Sequence, residues 1–478
     1  MNAKVLLFFS ILLFSFQLDA QLLPCGTPQM VKVMEQYEPD YQDAVNRAFE
    51  TARQQYKNGF VSTRSDQKVQ VVFHVVYNTP QQNIPDQVIF DQLARLNEDF
   101  NYNPANDFVT RPIYKDLGDN ANIEFVLAQF DPNGNPTTGI NRIQTDVPSF
   151  MQIDFGTLLQ AIFDCGIDIT ADTLSQEQLD CLTDALGGSG LTAGLDDIKS
   201  FDKGGVDAWD PTRYINIWIG NYGIELVPGE SEPFLLGFAY PPADAPNWPA
   251  GTLPPNLEEV EGVVLHYQAV GPNNPTAGSL IGSNDQGRTL SHEMGHYFGL
   301  RHAWGDGPCD EDDGIDDTPP MASSISDQLG QNFDPTTFTC DDLGLLNSCT
   351  SDQLPDMYEN YMNYTPESCQ SIFTKEQVGL MNAMLQGPRA GLLDIFLNNT
   401  EVDDLQLSFY PNPSNGAVEI HSNFPGDVIT QVFDLNGKMV HSSTERTLDL
   451  SALATGLYVL KINQNGRVVF EKLTLHQE

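Results

Sequence analysis

The stretch SHEMGHYFGLRH, residues 291–302, decides how the rest of the chain is read. On a helix, His292 and His296 lie one turn apart on the same face, so both imidazoles reach one point. Gly299 suits the left-handed backbone that ends a helix and turns the chain back. That turn carries His302 to the same point as a third nitrogen. Three protein ligands leave a fourth position for water, the catalytic rather than the structural arrangement around zinc. Zinc draws the pKa of such a water towards ~7, and Glu293 is placed to take its proton and pass it to a leaving amine. A bare His-Glu-x-x-His would be a weaker sign. The five-residue pattern, in a chain with 8 histidines, disfavours an accidental helix with core histidines. The other five, His74 and His266 in strand-like runs and His421, His441 and His476 near the C-terminus, lack ligand spacing and read as satisfied or solvated.

Downstream, Asn360-Tyr361-Met362-Asn363-Tyr364 fits a turn that sets Met362 as an apolar pad beneath the metal. Tyr364 then offers its hydroxyl to the metal or to a developing oxyanion, a donor typically worth a few kcal/mol in a transition state. Upstream, VQVVFHVVY (69–77) is a β-branched run of the buried-strand kind, and 84–100 places apolar residues at helical spacing. Strand character returns at 123–130 and 214–220, giving an α/β layering. GVVLHYQAVG (262–271) reads as an edge strand. Residues 301–387 are rich in Asp, Pro and Cys and poor in regular pattern, so they are expected to fold around staples and ions.

The N-terminus has a basic residue, Lys4, an apolar run from Val5 to Phe16 and a small residue at Ala20, the layout of a cleaved export signal. Residues 21–64 are polar and helix-favouring without a sustained core-facing pattern, as in a pro-segment lying on another surface. Residues 147–200 read as an insertion in a catalytic domain spanning 65–396. After a polar linker at 397–404, residues 405–478 form short alternating strands. Asn436-Gly437 and Asn465-Gly466 there are hairpin turns, so a small all-β sandwich is expected.

With 65 acidic against 23 basic residues the chain carries a formal charge of −42. Such a surface repels phosphate backbones and excludes nucleic acid as a natural partner. Most of the excess reads as a solvated acidic face. The run Asp310 to Asp317 packs acids densely enough to suggest a hard cation, calcium. No segment after the signal is long and apolar enough to span a bilayer. Seven cysteines in an oxidising compartment leave at least one unpaired or bonded between chains. Cys165 and Cys181 are neighbours that can pair. Cys309, Cys340, Cys349 and Cys369 bracket one region as two staples, and Cys25 is left over.

VVFHVVY, GGVDAWDPTRYINIWIG, GRTLSHEMGHYFGLRHAWGD, the Cys309…Asp317-Thr318-Pro319 segment, YMNYTPESC and FTKEQVGLM together resemble the pappalysin family of metzincin metalloproteases. The resemblance covers residues 69–386. It implies an α+β metzincin-type catalytic domain: a twisted mixed sheet, an active-site helix and an irregular C-terminal subdomain. It also implies zinc on His292, His296 and His302, Glu293 as general base and Tyr364 as transition-state stabiliser. Calcium would lie on Asp313, the Asp316 carbonyl and Thr318, and the disulfides would be Cys309–Cys349 and Cys340–Cys369. Glu367, just before the last cysteine, takes the place of the acid that gives the family its preference for Arg or Lys after the scissile bond. Cys25-Gly26-Thr27-Pro28 resembles the family's pro-segment cysteine, whose thiolate takes the fourth zinc position until the segment is cut, here near Arg64-Ser65. An intermolecular disulfide or a free thiol are the other readings of Cys25. The C-terminal marks FYPNPSNG, DLNGKMV and GLYVLKI…EKLTL resemble the sorting domain of substrates of the type IX secretion machinery.

Three functions are compatible with these residues: a secreted zinc endopeptidase made as a latent zymogen, a non-catalytic metal-binding surface adhesin, and a metalloenzyme acting on a non-peptide bond. An adhesin needs neither Glu293 nor an open fourth position, which favours the endopeptidase with protein or peptide substrates.

Overall fold

A computed structural model describes residues 23–59, 67–103, 109–151, 155–167, 181, 185, 194–227, 230–243, 260–278, 284–329, 339–344, 346–349, 354–393, 407–422, 428–434, 438–464 and 467–476. The export signal, the cut near Arg64-Ser65, half of the 147–200 insertion, the 397–404 linker and the two Asn-Gly turns lie outside the described residues. The chain divides into two units, at residues 394 and 395.

The first unit is built on β1 (Gln67–Tyr77), whose apolar run is buried almost end to end. Such a strand is covered on both faces and belongs in the middle of a sheet. One edge of β1 pairs in parallel with β2 (Ile123–Leu127) and then β3 (Ile140–Gln144), and the other edge with β4 (Ile215–Gly220). β5 (Gly223–Val227) and β6 (Glu230–Pro233) form a separate hairpin. Beyond β4 the sheet continues with β8 (Val263–His266), in parallel, and closes with the antiparallel β7 (Gly237–Ala239). β8 is therefore an inner, fully buried strand and not the expected edge. The polar residues of that sequence run fall in the turn after it, and His266 within it is buried.

Two helices of the N-terminal segment, α1 (Thr27–Tyr37) and α2 (Tyr41–Lys57), precede the sheet. α2 buries Ala44, Ala48, Phe49 and Ala52, a stripe at helical spacing that its small alanines conceal in the sequence. It lies along the C-terminal helix, where the ring of Tyr56 stands so close to Gly379 that a Cβ there would approach to 2.1 Å. Helix α3 (Asp86–Phe100) covers the sheet through Val88, Ile89, Leu96 and Phe100. Ala161 of helix α4 (Phe155–Asp164) joins Leu195, Ile198, Phe150, Trp218 and Phe238 in a second core, and Cys165 bonds Cys181 just after the helix. Helix α5 (Thr289–Tyr297) carries the histidine motif, and all nine of its residues are buried. Helix α6 (Lys375–Gln386) opens with a capping box between Thr374 and Gln377, which satisfies two otherwise orphaned amides. Cys309–Cys349 and Cys340–Cys369 staple the irregular region between α5 and α6.

The second unit is all-β. β9 (Leu407–Tyr410), β10 (Ala417–Ser422) and β13 (Thr447–Asp449) form one sheet. β11 (Val428–Phe433), β12 (Met439–Ser443), β14 (Gly456–Gln464) and β15 (Arg467–Leu475) form the other. Val418, Ile420, Leu448, Val432, Leu460 and Leu473 from the two sheets meet in one core, the sandwich arrangement expected of alternating strands.

Candidate metal centre

Helix α5 starts where its own sequence offers no side-chain cap. The cap comes from a distant residue: Glu367 Oε1 accepts from the Thr289 amide (2.6 Å) and hydroxyl (2.9 Å), and Oε2 accepts from the Gln286 amide (2.5 Å). A carboxylate at this end also complements the helix dipole. Asp99 of α3 braces the same turn, accepting from Ser291 Oγ at 2.6 Å, Tyr361 Oη at 2.9 Å and Arg288 Nε at 3.4 Å.

His292 and His296 leave this helix on one face. Gly299, at φ +89°, turns the chain back, and a Cβ there would also meet Met384 Cε at 2.7 Å. The turn brings His302 in. His296 Nε2 lies 3.2 Å from His292 Nε2 and 3.1 Å from His302 Nε2. Each opposite nitrogen has an acceptor: His292 Nδ1 the Tyr361 carbonyl (2.8 Å), His296 Nδ1 the Leu300 carbonyl (2.8 Å), and His302 Nδ1 the Asp306 carboxylate (2.5 Å). A carbonyl only accepts, so Nδ1 of His292 and of His296 carries the proton and the Nε2 lone pairs face inward. Burial, and then His302, press the pKa of His292 down to about 3 and that of His296 well below its ordinary value. Inward-facing lone pairs at this spacing repel one another unless a cation lies between them. A tetrahedral ion at ~2.0–2.1 Å would hold three nitrogens roughly 3.3 Å apart, so the donor set fits zinc.

The remaining side of the centre is occupied. Cys25 Sγ lies with the three imidazole nitrogens in one cluster, the only such group of His, Cys, Asp and Glu among the described residues. Its chain is held as an extra parallel strand: the Leu23 amide donates to Phe234 O (2.6 Å), the Leu236 amide to Leu23 O (3.1 Å), and the Gly26 amide to Gly237 O (2.9 Å). Burial and the Glu293 carboxylate push the Cys25 thiol well up, so a thiolate here requires a cation among the histidines. Glu293 Oε2 stands 3.5 Å from Cys25 Sγ and 3.1 Å from Thr27 Oγ1, and burial raises its pKa to about 8. Met362 lies beneath Gly295 of the helix, and Tyr364 Oη is 3.1 Å from His302 Nε2. Glu367 lines a cavity beside His292 together with Leu236, Arg288 and Thr365.

The acidic run does not gather into a carboxylate cluster. Asp313 is buried and accepts from Thr318 Oγ1 (2.8 Å) and the Ile315 amide (3.0 Å). The Asp316 side chain faces Arg53 (2.9 Å) and Lys57 (2.7 Å) of α2. His74 and His266 are buried and neutral, bonded to Asn216 (2.9 Å) and Asn221 (3.2 Å). Sequence reasoning missed Asp99, Asp306, Thr27 and the capping role of Glu367. Only Asp306, four residues past a ligand, carried a local signal.

A mixed sheet over a helix bearing two histidines, a glycine turn delivering the third and a methionine beneath them together define a metzincin-type protein. The family described as Pregnancy-associated plasma protein-A matches residues 277–386, and the secretion system C-terminal sorting domain matches residues 408–476. A promirolysin mutant of Tannerella forsythia is similar at 30% identity, with 78% of this chain and 98% of that chain covered and a TM-score of 0.53. An extracellular metalloprotease of Pyricularia oryzae is 29% identical over 36% of this chain and 49% of its own length. Extracellular metalloprotease 1 of Coccidioides posadasii is 33% identical over 22% of this chain and 33% of its own. The chain thus spans about half or less of these two fungal relatives. It belongs to the pappalysin family of metalloproteases and ends in a secretion sorting domain, which makes it an exported protein, released or held at the cell surface. Among the described residues no helix is long and apolar enough to cross a membrane.

Proposed function

We propose that the chain is a zinc-dependent endopeptidase made as a latent precursor. The observation that carries this is the convergence of three histidine Nε2 atoms with Cys25 Sγ at one point, with Glu293 Oε2 standing 3.5 Å from that sulfur. His292, His296 and His302 would hold the zinc, which when bound supplies Lewis acidity and lowers the pKa of water. The chain's own residues do the rest. Glu293, once uncovered, takes a proton from the attacking water and delivers it to the leaving amine. Tyr364 Oη donates to the oxygen that gains charge at the scissile carbonyl. Removal of residues 23–27 frees the edge offered by Phe234, Leu236 and Gly237 and uncovers Glu293.

Finer parts of the proposal rest on single features. Cys25 is the latency switch, its thiolate standing where water must enter. Arg or Lys is preferred after the scissile bond because Glu367 lines the cavity beside His292. Its oxygens already accept three bonds, which leaves about one acceptor site, together with the charge, to do the selecting. Calcium would rest on Asp313, the Asp316 carbonyl and Thr318, supported by an Asp313 carboxylate that burial strips of water. The C-terminal sandwich is the address taken by type IX secretion machinery.

Casein digestion with and without a chelator, alongside Glu293→Ala, tests the reading. Chelation and the substitution both abolish hydrolysis, while the variant keeps its bound zinc. A Glu293→Ala protein that still degraded casein would end the mechanism. A zinc-loaded, processed protein that never cleaved would leave the adhesin.

A further inference from the structure

We infer that Thr27 is a second latch of the precursor, its hydroxyl holding the Glu293 carboxylate while Cys25 stands at the metal. The inference rests on the proposed roles of Glu293 and Cys25 and adds a residue to them. Thr27 is the first residue of α1, placed two positions after the thiol. Its hydroxyl oxygen accepts from the Ala239 amide of the edge strand at 2.9 Å. The hydroxyl proton then has two acceptors in reach, Glu293 Oε2 at 3.1 Å and the Ala239 carbonyl at 3.2 Å. Of these the carboxylate oxygen is the nearer. The Thr27 amide also donates to Cys25 Sγ at 3.4 Å.

One residue therefore ties the edge strand, the base and the thiol together. The Cys25 thiol is the other neighbour of Glu293 Oε2, at 3.5 Å, and the Thr27 hydroxyl at 3.1 Å is the nearer donor. The other carboxylate oxygen, Glu293 Oε1, is buried with no hydrogen-bond partner, so the bond from Thr27 is the shortest that the group accepts. A carboxylate pinned in this way is not free to turn towards an entering water. Loss of the thiol alone thus opens the metal position but leaves the base engaged.

The experiment measures initial hydrolysis of a short fluorogenic peptide by intact full-length precursor, with gels verifying that no cut has occurred. Wild type is compared with Thr27→Val, Thr27→Ser, Cys25→Ala and the Cys25→Ala/Thr27→Val double variant. Thr27→Val alone should stay close to wild type, because the thiol still blocks the metal position, whereas in the Cys25→Ala background it should raise hydrolysis about tenfold, the size expected for loss of one hydrogen bond. Thr27→Ser, which keeps the hydroxyl, should stay silent, and the double variant should exceed Cys25→Ala. The activity reached after full processing controls for folding, because the segment is then gone. If Cys25→Ala leaks and the double variant leaks no more, the second latch is overturned and the thiol switch stands. If Thr27→Val alone leaks as much as the double variant, the switch falls and the latch stands. If the double variant is also silent, both fall.

Discussion

A Cβ built on Gly295 would stand 2.3 Å from Met362 Sδ. The active-site helix and the methionine turn are therefore in contact at a distance that no side chain on Gly295 permits. Met362 is fully buried, its amide is held by Asn360 Oδ1 (2.9 Å), and its carbonyl accepts from the Ala303 amide (3.1 Å). Gly295 lies between the two helical histidines, and Ala303 follows the third. One contact thus fixes the height of all three imidazoles above the turn that carries Tyr364.

Gly295→Ala should therefore force the helix off the turn. The expected cost is about 1–3 kcal/mol, typical of an overpacked core, with zinc affinity falling alongside. Met362→Leu, which conserves volume, should cost less than ~1.5 kcal/mol. Denaturant unfolding and zinc competition on both variants decide it, and unchanged zinc affinity in Gly295→Ala would show that the contact does not position the ligands.

Asp306 accepts from His302 Nδ1 at 2.5 Å while sitting at φ +60°, an uncommon backbone for a residue other than glycine. A carboxylate behind a ligand histidine fixes the ring's tautomer and raises its basicity. Asp306→Ala should weaken zinc binding about 10–100-fold, with Asp306→Asn intermediate, as read by competition with a chromophoric chelator. Equal affinity in all three proteins would remove Asp306 from the centre.

The gathering of His292, His296 and His302 was legible because its geometry is local: a four-residue step on a helix and one glycine turn. Met362 and Tyr364 were legible only through a known turn pattern. The α2 stripe was hidden because Ala44, Ala48 and Ala52 carry little hydrophobic signal, although they allow close packing. β8 was misplaced as an edge because sequence shows which residues prefer a strand and says little about which neighbours pair with it. Asp99, Thr27 and Glu367 act on α5 across long sequence separations, and a hydrogen bond of that kind leaves no periodicity to read.

The buried His74 makes stability depend on pH. Burial lowers its pKa to about 4, against the opposing bond from Asn216. It is surrounded by Asn216, Asn141, Trp209 and Trp218, with no charged partner in these contacts. The unfolded chain takes up a proton near pH 6.5 that the folded chain refuses until about pH 4. The contribution is thus complete above pH 6.5 and is lost as pH falls towards 4, on the order of 3 kcal/mol at the limit. His266, lowered to about 3 by burial, acts in the same direction. Urea unfolding at stepped pH should show this slope, and His74→Gln should reduce it by up to about one proton. An identical slope in the variant would assign the effect elsewhere.

Glu367 caps the start of α5 besides lining the cavity that its sequence position suggested. Its carboxylate lines the cavity beside His292, yet Oε1 and Oε2 together accept from the Thr289 amide and hydroxyl and from the Gln286 amide. Glu367→Gln keeps the size but turns an amide NH2 towards one of these donors, leaving a buried donor without an acceptor. The expected loss is about 1–3 kcal/mol of stability, together with weaker zinc binding as the first turn of α5 loosens. A group that served the substrate alone would behave differently: Glu367→Gln would unfold like wild type, and only cleavage before Arg or Lys would fall. Unfolding curves and a peptide library on the same variant distinguish the two. The three donors on this carboxylate lead us to expect the stability loss whether or not the subsite preference changes.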